Sequence, residues 1–158
     1  MVGWVALSNS YVELTLDLLR KSLDELYPGQ FLPPREKGNF VVDGNVPGAE
    51  FLIQSGIQGA AGLFLLHNVP GPYTEFSDFA DHIEDPSLRH LAEGQDCWLS
   101  VDLIHKHTTE EDGYRFIGNV LAKLAPSDAA VLVHPSRLIT IRLDDEVRRR
   151  LAGGGQIS

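Results

Sequence analysis

One pattern occurs twice in this chain. Gly3-Trp4-Val5-Ala6-Leu7 and Cys97-Trp98-Leu99-Ser100-Val101 are both short, apolar and β-prone, and each leads into an amphipathic helix followed by further strands. In the first copy Val12, Leu16, Leu19, Leu23 and Leu26 recur at steps of three and four, with Ser8, Asn9 and Ser10 as cap candidates, and the stripe stops at Tyr27-Pro28-Gly29. In the second, Tyr114, Ile117, Leu121 and Leu124 mark the inward side of a helix over 110–124. A helix with one apolar stripe has to bury it against another layer, and the strands on either side supply that layer.

The remaining strands follow from alternation and punctuation. Asn39 to Asp43 and Ala49 to Ser55 flank a Gly-Asn-Val-Pro-Gly turn, Leu63 to Val69 follows a glycine-rich turn, and Ala129 to Val133 and Leu138 to Leu143 flank His134-Pro135-Ser136. Between the copies, Pro70-Gly71-Pro72 breaks the pattern; two short helices follow, the second capped by Asp85 with Pro86 at its first position. The reading is a single α+β domain over 1–152. Two pseudo-symmetric β-α-β-β units, 1–69 and 97–152, form a mainly antiparallel sheet with helices packed on one face. A connector spans 70–96, and 153–158 is a tail.

The chain has 158 residues, enough to bury roughly 70% of its unfolded surface without staples. The single cysteine, Cys97, lies in a strand pattern and reads as a small core residue. With 13 Lys and Arg against 22 Asp and Glu, the net charge of −9 repels a phosphate backbone, so no nucleic-acid partner is expected. No apolar run approaches the ~20 residues of a membrane span, which predicts a cytoplasmic protein with no membrane partner. Arg148, Arg149 and Arg150 fall in the last turn of a terminal helix, where positive charge favours the dipole.

Alternation places Val5 and Leu7 under the helices, with Trp4 on the far face. It places Leu99, Val101 and Leu103 inward and leaves Trp98, Ser100 and Asp102 outward, as Ile139 and Ile141 go inward and Thr140 and Arg142 outward. Glu50 and Gln54 alternate with Phe51, Ile53 and Ser55. The far face therefore carries Trp4, Trp98, Asp102, Arg142 and Glu50 as candidate binding residues, an aromatic body with sparse polar groups suited to a small apolar molecule or a protein partner. The acid excess points, in the second case, to a basic partner of an immunity-type or regulatory protein.

Catalytic motifs are scarce. His105 and His107, two apart at a strand end and followed by Glu111, match the spacing of the first cupin motif, but Leu99 stands where a glycine is expected, the internal proline is missing and Glu111 lies on a helix. A metal-dependent hydrolase using His105, His107 and either His134, placed near His105 as the end of a strand of the same unit, or Glu111 is the alternative function. The leading expectation is a binding protein with no cofactor. Gln54-Ser55-Gly56 has only half of a nucleophile elbow, and the glycines of 56–62 match no phosphate or dinucleotide loop.

Trp98-Leu99-Ser100-Val101-Asp102 before the second helix and Ala129-Val131-Leu132-Val133 after it resemble a bacterial α+β domain family of unknown function. The paired β-α-β-β arrangement is similar to the multidrug-binding domains related to the gyrase-inhibitory protein. That resemblance implies a ligand groove between duplicated units with an acidic residue in it, a part that Glu50 or Asp102 would take.

Overall fold

The computed structural model describes residues 2–31, 38–44, 50–74, 76–105 and 109–154. Among the described residues seven strands are present: β1 (Val2–Ser8), β2 (Phe40–Asp43), β3 (Phe51–Ser55), β4 (Gly62–Pro70), β5 (Cys97–His105), β6 (Val131–His134) and β7 (Ile139–Arg142). They form one sheet in the order β2-β3-β4-β5-β1-β6-β7, with every adjacent pair antiparallel. Among the described residues five α-helices accompany it: α1 (Leu16–Leu26), α2 (Phe76–Phe79), α3 (Pro86–Glu93), α4 (Glu110–Leu124) and α5 (Asp145–Ala152). This is the α+β architecture with an antiparallel sheet that the patterning predicts.

The helix ends follow local chemistry. Thr15, rather than Ser8 to Ser10, caps α1 by accepting from the Leu18 amide at 3.1 Å; Val12 consequently lies ahead of the helix and is 58% exposed instead of joining its stripe. Asp85 caps α3 with Pro86 at the first position, and Thr109 caps α4 ahead of three acidic residues that complement the helix dipole. Arg149 and Arg150 occupy the last turn of α5, while Arg148 reaches back to the carbonyls of Ala125 and Pro126 beyond the end of α4.

Both faces of the sheet are covered. The larger core joins Trp4, Ala6, Leu99, Val101 and Leu132 of the strands to Leu19 and Leu23 of α1 and Phe116, Ile117 and Leu121 of α4. A second cluster on the opposite face joins Val5, Leu7, Val131 and Val133 to Ile83 and to Leu88 and Ala92 of α3. The long helices thus share one face, as expected, and the connector closes over the other.

One sequence expectation is corrected here. Trp4 pairs with Val101 and Leu7 with Trp98, so the two tryptophans emerge on opposite faces: Trp4 lies in the larger core and Val5 and Leu7 point away from it. In a period-two element a shift of one residue between the motifs exchanges the faces completely. The strand order also differs between the halves. The first strand after α4 adjoins β1, whereas the last of the three strands after α1 adjoins β5. β1 and β5 do lie side by side at the centre, but the internal pseudo-symmetry is not established.

Two glycines allow close approach. A Cβ at Gly3 would collide with the Val101 carbonyl and the Asp102 side chain on β5. On α4, a Cβ at Gly118 would lie 2.5 Å from the Leu151 carbonyl oxygen of α5. Backbone cannot yield as a side-chain tip does, so Gly118→Ala is expected to cost about 1 to 3 kcal/mol by pushing α5 off α4. Urea titration checks this; a variant as stable as the parent contradicts the helix contact.

Candidate functional site

The face bearing Val5 and Trp98 is not wholly covered by the connector. Between the connector and the β6–β7 turn lies an open groove of about 520 Å³. Gly3 and Val5 of β1, His67 of β4, and Trp98, Ser100 and Asp102 of β5 form its floor. Tyr73, Thr74 and Asp78 come from the connector, and Pro135, Ser136 and Leu138 from the turn. The apolar part is built around two rings: Tyr73 meets Trp98 edge to face, with centroids 5.2 Å apart. Leu138 is exposed at the rim and holds a left-handed backbone with φ 55°, a conformation that costs a side-chain-bearing residue about 1 to 2 kcal/mol.

The polar part comes from strand register. His67 stands opposite Ser100 across β4 and β5, and the β3–β4 register, continued one residue back from Phe51–Leu66, sets Glu50 opposite His67. The three side chains make a single rung across three strands. Glu50 Oε1 contacts His67 Nε2, and Ser100 Oγ lies 3.3 Å from His67 Nδ1 and 3.3 Å from Asp102 Oδ2. The His67 ring tilts against Trp98 with centroids 5.9 Å apart, which joins the rung to the aromatic wall.

Of the five binding candidates read from the sequence, Trp98 and Asp102 line the groove, and Glu50 reaches it through His67. Trp4 is on the other face. Arg142 does point away from the larger core, but its guanidinium donates to Ser87 Oγ at 2.6 Å and ties β7 to α3 rather than lining the groove. His67 and Tyr73 had no motif to announce them; their signals were an i, i+2 alternation in β4 and an aromatic residue just past Pro70-Gly71-Pro72.

The candidate metal ligands do not converge. His105 is exposed at the end of β5, His107 lies outside the described residues, and Glu111 pairs with Arg115 on α4 at 3.4 Å. His134 is not beside His105. It is level with Trp4, and through it with Val101, so four residues of strand, roughly 13 Å, and an intervening β1 separate the two. Among the described residues no group of three or more His, Cys, Asp or Glu side chains could hold a metal ion.

His134 instead belongs to the core. Its Nε2 lies 2.6 Å from the Tyr114 hydroxyl, its Nδ1 3.2 Å from Ser136 Oγ, and its ring meets Trp4 edge to face. Burial, reinforced by the nearby Arg137, pushes its pKa down to about 4. Cys97 is buried with its sulfur 3.1 Å from Ser8 Oγ, as a small core residue should be.

No protein-family model, curated protein or solved structure matches this chain. Among the described residues no helix is long and apolar enough to cross a membrane.

Proposed function

We propose that the chain is a binding protein that holds a small molecule with a flat apolar body in the groove floored by Trp98. The observation that carries this reading is the combination in one concavity of two edge-to-face rings, Trp98 and Tyr73, with the polar groups of Ser100, Asp102 and His67. A groove of about 520 Å³ is the size of small-ligand sites, and its few convergent polar atoms would fix the orientation of what the rings hold. The concavity favours a small molecule over the basic protein partner, which rests on the net charge of −9 alone.

Titration with the neutral dye Nile red tests the proposal. Parent protein should bind it at micromolar concentration with a rise in dye fluorescence, and Trp98→Ala should weaken binding at least about tenfold through loss of ring contact. Trp4→Phe, altered on the opposite face, should bind as the parent does. Equal binding by the parent and Trp98→Ala contradicts the groove.

A further inference from the structure

We propose that Ser100 is a nucleophile, activated by His67 and Glu50, for acyl transfer from aryl esters seated in the groove. This rests on the groove reading for the placement of the substrate and adds a reaction to it.

The order of contacts is what a serine nucleophile needs. A carboxylate only accepts hydrogen bonds, so the contact of Glu50 with Nε2 fixes a proton on that nitrogen and leaves the lone pair on Nδ1. Ser100 is the residue facing Nδ1, at 3.3 Å. The imidazole is thereby held in the tautomer of a general base, with the carboxylate placed to stabilise the imidazolium that forms. The nitrogens are used in the reverse of the more common arrangement, and the roles are unchanged. At rest Ser100 Oγ donates to Asp102 Oδ2, also at 3.3 Å, and it must turn its proton to Nδ1 as the bond to carbon forms.

The fold also selects the substrate. Ser100 is 2% exposed on the floor, within a central strand whose backbone amides are engaged in ladders to β1 and β4. Amides spent in those ladders give little to a developing oxyanion. Such a site acts on esters whose leaving group departs easily, and a phenolic leaving group also matches the Trp98–Tyr73 wall. Ser100 Oγ bonds to the acyl carbon while its proton passes to His67 Nδ1; the carbon–oxygen bond to the aryl group breaks, and the phenolate takes that proton. Water then adds to the acyl carbon with His67 as base, the bond to Ser100 breaks, and Oγ recovers the proton. The products are a phenol and a carboxylic acid.

An alkyl fluorophosphonate probes this directly, since attack by Oγ forms a serine–phosphorus bond and expels fluoride. The folded parent should gain the mass of one adduct, mapped by peptide fragmentation to Ser100, and urea-unfolded protein should gain none. His67→Ala should slow labelling at least about 100-fold and Glu50→Gln by about tenfold. No adduct on the folded parent, an adduct at Ser136 or elsewhere instead, or undiminished labelling in folded His67→Ala overturns the proposal. The mapping on the parent stands even where a variant fails to fold. Protein that binds Nile red without forming the adduct removes the nucleophile and keeps the groove, and an adduct at Ser100 without dye binding does the reverse.

Discussion

Trp4→Ala is expected to lower the free energy of unfolding by about 3 to 5 kcal/mol, and Trp98→Ala by less than about 2 kcal/mol, although the two residues hold matching places in their sequence motifs. Trp4 is 3% exposed and packs in the core that joins α1 and α4 to the sheet, with His134 edge-on at 4.9 Å between ring centroids. Removing it leaves a cavity among strands and helices too tightly packed to collapse onto it, so the lost transfer energy and the cavity add. Trp98 is half-buried and faces an open groove; water fills the space that its ring vacates. Urea titration of both variants gives the comparison. Equal costs would mean that the groove is closed and that Trp98 is as much a core residue as Trp4.

The same pair shows what was legible in the sequence. Strands and helices were readable because their apolar residues recur at periods of two and of three to four, and the Asp85-Pro86 start of α3 because its capping chemistry is local. The face of β5 was also readable: Leu99, Val101 and Leu103 lie in the larger core and Trp98 does not. The face of β1 was not, since Trp4, Val5, Ala6 and Leu7 are all apolar and a strand covered on both sides has no polar residue to mark its outward face. The Glu50–His67–Ser100 rung was illegible for a different reason. Its members lie 17 and 33 residues apart and meet only because β4 pairs with both β3 and β5, a register that no local motif encodes. The histidine pair at 105 and 107 drew attention through spacing alone, whereas His67 acquires its partners from topology.

The second large effect is expected from pH, through His134. In the unfolded chain its imidazole takes a proton near the usual value of 6.5; in the folded protein burial and the Arg137 charge hold it neutral until about pH 4. Hydrogen bonding does not cause the difference, because the hydroxyls of Tyr114 and Ser136 can each accept from a doubly protonated ring. The cost is that of placing a charge at a site 1% exposed, beside Trp4 and within reach of the Arg137 charge. The unfolded state therefore binds more protons than the folded state between these two values, so stability is complete above about pH 6.5 and declines as the pH falls. The decline amounts to roughly 3 kcal/mol by the time the folded-state value is passed. Urea titrations of the parent and of His134→Gln from pH 7.5 to 4.5 isolate the contribution, since other carboxylates titrate alike in both and cancel in the difference. The variant should lose less stability than the parent across this range, with the gap opening below pH 6.5. Parallel curves, or an imidazole resonance of His134 in the folded parent titrating near 6.5, would show that the ring is open to water and its burial against Trp4 is wrong.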